Sequence, residues 1–207
     1  MLVVAGCAAE TEAPAPSRSV EIVTTPTPKP EWTSPAPIDP SVKPTVAELV
    51  VSPEGLGPIQ IGQVLAERPA ELAVALWDPT FCDLESGTDH GGWKPNYPLV
   101  EDGHYPFLPL TQSDSVTAPV TEIIVQSPEI RTAEGLGIGS SVADLSAAYG
   151  AALVFTQPEF APSGYMVAGS AGNLIFWAGE GDPNVFIMTV QIASSDPHFY
   201  YEVGGCE

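Results

Sequence analysis

The feature that most constrains the fold is a tetrapeptide that occurs twice in the chain. Glu-Gly-Leu-Gly stands at 54–57 and again at 134–137, and an Ile-Gly pair follows each copy. Self-similarity at a long spacing is the sequence signature of a repeated structural unit. The sequence therefore predicts two tandem repeats, the first at 46–128 and the second at 129–207, which pack together as one compact domain.

The second copy carries clear signals for a short helix. Ser140 or Ser141 can cap its start, because a serine oxygen accepts hydrogen bonds from the free N–H groups of a first helical turn. Asp144 follows Ser141 at nearly the capping-box spacing, and Gly150 is suited to a left-handed helix end. Alternating apolar residues then predict strands at about 152–156, 164–168, 172–178 and 184–193.

The first copy has the same outline but weaker signals. We expect strands at 47–52, at 59–62 and at 120–125, a helix over about 69–77, and two short strands near 97–100 and 105–110. Each unit is thus interpreted as a short helix packed on an antiparallel β-meander. The predicted fold class is α+β, with helix and sheet as its two layers.

An Ile-Gly turn that opens a short helix, followed by a meander that ends on a strand such as Thr-Val-Gln-Ile, resembles a known pattern. It is similar to the repeat shared by the β-lactamase-inhibitor-protein-like fold and the outer-membrane-assembly lipoproteins of the SmpA/OmlA kind. It also resembles actinobacterial lipoproteins that carry a similar glycine motif before their helix. The resemblance covers 47–207 and implies a binding or assembly role rather than an enzyme. No inhibitory loop can be transferred residue by residue.

The N-terminus resembles a bacterial lipobox. Val-Ala-Gly at 4–6 directly precedes Cys7, and polar sequence follows at once. The resemblance implies that 1–7 is the end of a lipoprotein signal and that Cys7 carries a lipid anchor in a membrane. A signal peptide needs a basic region and a longer apolar core, so we expect the true start to lie upstream. A chance apolar start is the alternative.

A proline- and threonine-rich segment, 8–45, separates this cysteine from the predicted domain. Its composition provides too little apolar surface to offset the entropy of ordering, and proline favours extended conformations. We interpret it as a disordered linker. If Cys7 is lipidated, Cys82 and Cys206 remain, and an extracytoplasmic location permits them to form a disulfide. Two free thiols are the alternative.

The net charge of −20 restricts the possible partners. Only six bases oppose 26 acids, and neither Lys nor Arg follows Arg131. Such a surface repels a phosphate backbone, which argues against nucleic-acid binding. It can attract a basic partner or cations, or it can simply keep an exported protein soluble.

The segment 83–106 is the least regular part of the chain and the main candidate for function, because long irregular segments often carry binding residues. Its carboxylates and imidazoles could hold a divalent cation, with Asp89, His90, Asp102 and His104 as weak candidate ligands. A contact surface for an envelope protein or a glycan is favoured over the metal site, and a segment that binds no ligand at all is the other interpretation. Its candidate aromatic anchors are Trp93, Tyr97, Tyr105 and Phe107.

The sequence contains none of the established nucleophile, zinc-protease or nucleotide-loop motifs, and Gly-Leu-Gly-Ile-Gly at 135–139 lacks the lysine of a phosphate-binding loop. We therefore predict no catalytic residue and no cofactor. The leading hypothesis is a lipid-anchored, extracytoplasmic binding module that is not an enzyme. The alternative is a secreted metal-dependent enzyme or hydrolase that uses the acidic, histidine-bearing segment 83–104.

Overall fold

Eleven antiparallel strands build the part of the protein that a computed structural model describes, namely residues 43–67, 73–83, 89–100, 103–159, 161–179 and 183–199. The strands are β1 (Val51–Ser52), β2 (Gly55–Leu56), β3 (Ile59–Gln60), β4 (Ala75–Asp83), β5 (Asp89–Pro95), β6 (Phe107–Thr111), β7 (Val120–Val125), β8 (Leu153–Thr156), β9 (Ser163–Ala168), β10 (Gly172–Ala178) and β11 (Val185–Ile192). They form a six-stranded sheet of order β6-β7-β11-β10-β9-β8, a three-stranded sheet β1-β2-β3 and a hairpin β4-β5. A helix, α1 (Val142–Tyr149), precedes β8. Single 3-10 turns lie at Val46–Glu48, Leu65–Glu67 and Gly150–Ala152.

The predicted α+β class, with two helix-on-meander repeats, is wrong. The described residues are mostly β, and α1 is their single α-helix. The strands β6 and β7, which belong to the first predicted repeat, join the sheet of the second through the pairing of β7 with β11. Five of the six β7 residues are buried. Its place between β6 and β11 pairs both of its backbone edges inside the sheet.

The helix predicted over 69–77 is also wrong where the structure describes it, since residues from Ala75 onward form strand β4. Residues 68–72 lie outside the described part. Strand β4 pairs with β5, and Trp77 stands opposite Trp93 with their ring centroids 5.6 Å apart in an edge-to-face arrangement. Cross-strand aromatic pairs stabilise a sheet, and here this contact outweighs the helix propensity of alanine and leucine.

In the second half of the chain the predicted elements are confirmed. Ser141 caps α1 by accepting from the Asp144 N–H at 3.2 Å, while the Asp144 carboxylate accepts from the Ser141 N–H at 3.2 Å. The Ser141 hydroxyl also donates to the Asp144 carboxylate at 2.6 Å, and this hydrogen bond, with that from the Ser141 N–H, lowers the pKa of Asp144 because both favour its ionised form. Gly150 ends the helix with a φ of 52°. Strands β8 to β11 lie within one residue of their predicted bounds.

The two Glu-Gly-Leu-Gly copies form neighbouring turns. Val50 and Arg131, which precede the two turns, make a parallel bridge, and the Val51 N–H donates to the Arg131 carbonyl at 3.0 Å. Gly55 has a φ of 151°, and a Cβ there would lie 2.0 Å from the Ile59 carbonyl oxygen. This close backbone approach requires glycine.

The acid of each turn holds a different element. Glu54 accepts from the backbone N–H groups of Ser170 at 2.8 Å and Ala171 at 3.1 Å, which lie in the loop between β9 and β10. Glu134 instead accepts from the hydroxyl of Tyr149 at 2.9 Å, at the end of α1. These hydrogen bonds lower the pKa of both carboxyls, so both stay charged at neutral pH.

The core lies on the α1 side of the large sheet. Every residue of β10 is buried, so both of its faces are covered. On one face Leu174 and Phe176 pack in a single apolar cluster with Leu145 of α1. On the other face Trp177 donates from Nε1 to the Thr189 hydroxyl at 3.0 Å, and its ring meets that of Phe199 at 5.2 Å.

A polar network is buried beside this second face. Glu122 on β7 and Gln191 on β11 are 4% and 1% exposed. The Gln191 amide donates to Glu122 Oε1 at 2.9 Å and to the His198 carbonyl at 2.6 Å. His198 Nε2 lies 3.1 Å from Glu122 Oε2. The network therefore fastens the segment after β11 to the sheet.

Stability is expected to depend on pH through His198. Its hydrogen bond to Glu122 raises the pKa of the imidazole above the ordinary 6.5. A raised folded-state pKa gives stabilisation that is fully present below the unfolded pKa and is lost as pH rises through the folded value. The imidazole side chain is 37% exposed, so we expect a loss of about 1 kcal/mol or less.

Urea unfolding of the full chain at pH 5.5 and pH 8.5 measures this loss. The variant His198→Asn keeps a polar side chain but does not titrate, and it should show a smaller difference between the two pH values. Equal differences in the native chain and the variant would rule out the histidine as the source.

Candidate functional site

An open groove of about 370 Å³ lies at the open end of the β4–β5 hairpin, where β4 begins and β5 ends. It is lined by Lys43, Leu76, Lys94, Pro95, Asn96, Tyr97, Pro98 and Tyr105. These residues come from the start of the described chain, from both strands of the hairpin and from the segment that follows it. The groove is therefore assembled by the fold and not by one continuous motif.

Asn96 follows β5 in the groove lining and is held in place by three hydrogen bonds. Its backbone N–H donates to the Val74 carbonyl at 2.8 Å, and its side-chain amide donates to the Ala73 carbonyl at 3.1 Å. Its own carbonyl accepts from Lys43 Nζ at 2.6 Å. Because Pro95 ends the strand and cannot donate to a ladder, the chain turns here and Asn96 replaces the lost sheet contacts.

Tyr97 forms one wall and is held from two sides. Its hydroxyl donates to the Pro44 carbonyl at 2.8 Å, and its ring packs edge-to-face on Phe107 at 5.9 Å. Lys43 Nζ lies 4.6 Å from the Tyr97 ring centroid, within cation–π range. Burial raises the pKa of Tyr97 to about 12, and the charge of Glu48 adds to this effect. The phenol is therefore neutral at physiological pH.

The two lysines differ in their charge balance. Lys94 donates to Asp78 at 2.7 Å, and this hydrogen bond raises the pKa of Lys94 and lowers that of Asp78. Lys43 makes no ion pair with any carboxylate of the described residues. The lining contains two of the chain's six bases and no acid, although the chain has 26 acids. Because Asp78 neutralises Lys94, the positive charge of the groove that no described carboxylate pairs with is that of Lys43.

The structure separates the four predicted aromatic anchors into two pairs. Tyr97 and Tyr105 line the groove. Trp93 and Phe107 are 1% and 0% exposed and belong to the core. Phe107 supports the Tyr97 wall from behind, and Trp93 packs on Trp77. Since a buried ring cannot touch a partner, only the two tyrosines among the four predicted anchors offer accessible aromatic surface.

The predicted metal site lies mostly outside the described part and stays a prediction. His104 is exposed, while Asp102 and the side chains of Asp89 and His90 lie outside the described residues. Within the described ranges, no group of three or more His, Cys, Asp or Glu side chains could hold a metal ion. Cys7, Cys206 and the side chain of Cys82 also lie outside the described part, so lipidation and the disulfide stay predictions.

Sequence reasoning missed Lys43, Lys94 and Asn96 as groove residues. A signal for the lysines was present, because bases are rare in this chain and each one is conspicuous. Their proximity could not be inferred, since it depends on the β4–β5 hairpin where a helix was expected. Asn96 carried no signal, because an asparagine between Pro95 and Tyr97 is ordinary turn sequence.

Comparison of the chain with protein-family models finds no match, and comparison with curated proteins and with solved structures finds no significant match. The resemblance to the inhibitor-like fold and to envelope lipoproteins stays a prediction. No helix in the described ranges is both long and apolar enough to cross a membrane.

Proposed function

We propose that this protein is a non-catalytic binding module of the cell envelope. A lipid on Cys7 tethers it to a membrane, and the linker 8–45 spaces the domain from the surface. The groove beside Tyr97 and Tyr105 holds the partner. The observation that carries the proposal is the groove itself, which gathers two tyrosines, two lysines and an amide, without an acid, on a chain of net charge −20.

The chemistry of the lining favours binding over catalysis. Burial keeps the Tyr97 phenol protonated, with a pKa of about 12, and Asp78 raises the pKa of Lys94. Groups that keep their protons near pH 7 donate hydrogen bonds and present charge, but they do not act as general bases. Lys43 adds a cation that no described carboxylate neutralises.

The ligand that fits this lining bears a carboxylate beside a flat, weakly polar face. Lys43 would pair with the carboxylate, and the tyrosine rings would pack against the flat face. An acidic sugar and an acidic peptide segment share this chemistry, and both occur in envelope polymers. Contacts to a charged group and to aromatic rings are the kind that dominate binding energy at small interfaces.

Isothermal titration calorimetry of the full chain tests the site with two probes, a trigalacturonate and an acetylated Gly-Glu-Gly-Glu peptide. The variant Lys43→Gln removes the charge but keeps a donor for the Asn96 carbonyl. We expect its affinity to fall about tenfold, because a hydrogen bond between charged groups contributes about 1.5–3 kcal/mol. Tyr105→Ala should weaken binding by a similar factor.

Arg131→Gln is the matched control, since it removes one positive charge from a residue outside the groove lining. Its affinity should equal that of the native chain. Binding of the sugar alone or of the peptide alone identifies the source of the carboxylate. If neither probe binds, or if all three variants weaken binding equally, the groove is not the site.

A further inference from the structure

A second surface, independent of the groove, lies at the free edge of the six-stranded sheet. We define the β8 edge as strand β8, which pairs with β9 and is last in the strand order. Val154 and Phe155 are 48% and 56% exposed. Successive residues of a strand point to opposite faces, so each face of this edge exposes one large apolar side chain, while Leu153 packs against the core and the Phe155 ring meets that of Tyr165 at 5.6 Å.

The β8 edge is short, at four residues, but it lacks the other common protections of a sheet edge. Leu-Val-Phe-Thr contains neither a proline nor a charged residue, and its register with β9 has no bulge. Outside that pairing, and among the described residues, one backbone hydrogen bond of the strand joins the Leu153 N–H to the Gly150 carbonyl. The opposite edge is different, because β6 carries the buried Pro109 and has β5 beside it.

Acidic residues frame this apolar strip. No charged residue occurs between Asp144 and Glu159. Glu134 lies near the start of β8, since it accepts from the hydroxyl of Tyr149, the last residue of α1. Glu159 follows the end of the strand and is exposed. The chain after Arg131 contains eight acids and neither Lys nor Arg. Arg131 is the nearest base to Glu134 in sequence, and among the described residues no ion pair joins the two.

We infer that the β8 edge is a docking site for an extended strand of a partner protein, one with a short apolar centre and basic residues on both sides. Such a strand would extend the sheet by main-chain hydrogen bonds, with its side chains packed beside Val154 and Phe155. Its flanking Lys or Arg residues would meet the acids at the two ends of the edge. Charge thus selects the partner.

A second copy of this chain is a poorer occupant of the same edge. It would bring a net charge of −20 against a net charge of −20, and antiparallel pairing would place like charges near each other at both ends of the new contact. Like charges across an interface oppose association. A basic strand removes this repulsion and replaces it with attraction.

The test uses the full, ¹⁵N-labelled chain and an acetylated, amidated peptide of sequence Lys-Lys-Val-Thr-Val-Phe-Lys-Lys. In an NMR titration, the amide signals of Leu153–Thr156 should shift and become protected from exchange. Affinity should fall with added salt, because the flanking charges contribute. The same peptide with glutamate at the four lysine positions should bind at least tenfold more weakly.

Phe155→Lys is the decisive variant, since a lysine on an edge strand opposes pairing and also repels the basic peptide. We expect at least a tenfold loss of affinity. Phe186→Lys is the matched control, because Phe186 is a similarly exposed phenylalanine, 45% against 56%, on the interior strand β11. Its affinity should be unchanged. Val154→Lys serves as a second edge variant, and circular dichroism verifies that each variant folds.

Three outcomes would overturn the inference. One is the absence of shifts at millimolar peptide. Another is a set of shifts confined to Lys94–Tyr97, which would place the peptide in the groove. The third is a concentration-dependent dimer, seen by sedimentation, that Phe155→Lys abolishes, because then a second copy occupies the edge. Lys43→Gln should leave peptide binding intact, so failure of the groove proposal is separable from failure at the β8 edge.

Discussion

Replacing Trp93 with alanine is expected to lower the free energy of unfolding by about 3–5 kcal/mol, as is usual when a large core aromatic is truncated. Trp93 is 1% exposed, belongs to the main apolar cluster and meets the ring of Trp77 edge-to-face. The sequence suggested it as a partner-binding anchor. Denaturant unfolding followed by circular dichroism measures the change.

Conservative variants at two tryptophans provide the control. Trp93 Nε1 is buried and has no hydrogen-bond acceptor among the described residues, whereas Trp177 Nε1 donates to Thr189. Trp93→Phe removes an unpaired N–H, so it should cost about 1 kcal/mol less than Trp177→Phe, which breaks a buried hydrogen bond. If Trp93→Phe proves the more damaging of the two, the Trp93 N–H has an acceptor outside the described residues.

Gln191→Leu is expected to destabilise the protein by about 2–3 kcal/mol. The substitution removes the amide that donates to Glu122 and to the His198 carbonyl, and it leaves the Glu122 carboxylate buried with fewer donors. Losing one partner of a buried charge is costly because the other stays desolvated. The change is measured as a shift in the urea midpoint at constant slope.

A double-mutant cycle with Glu122→Leu isolates the cause. If the unpaired carboxylate is responsible, the double variant should be no less stable than Gln191→Leu alone, since the buried charge has gone as well. A double variant whose loss equals the sum of the two single losses would show that packing volume, and not the charge, sets the cost.

Local signals predicted the second half of the chain well. Ser141, Asp144 and Gly150 act within a few residues of one another, so the helix they delimit does not depend on distant contacts. The strands β8 to β11 alternate or are wholly apolar over lengths that helices do not favour. Their order in the sheet follows from short hairpin connections between β8, β9, β10 and β11.

The predictions for the first half of the chain are wrong where contacts between residues distant in sequence decide the structure. Ala75 to Trp77 has helix-forming composition, yet Trp93 makes the segment a strand. The destination of β7 depends on β11, far along the chain. The groove could not be predicted for the same reason. Lys43 and Lys94 come together only through the β4–β5 hairpin and the hydrogen bond of Lys43 to Asn96. The residue types indicated the region of the candidate site, but the fold determines which of its side chains are accessible.

The hydrogen bond between Glu54 and Ser170 of the β9–β10 loop joins residues 116 positions apart in sequence. The Glu122–Gln191 hydrogen bond joins residues 69 positions apart. Contacts of such separation make folding slow, since a long loop must close before any of them forms. During synthesis, β7 is complete long before β11 exists, so its apolar residues Ile123, Ile124 and Val125 and the backbone edge that pairs with β11 lack that partner. A ribosome-bound fragment that ends before Val185 is thus the species most exposed to aggregation and to proteases.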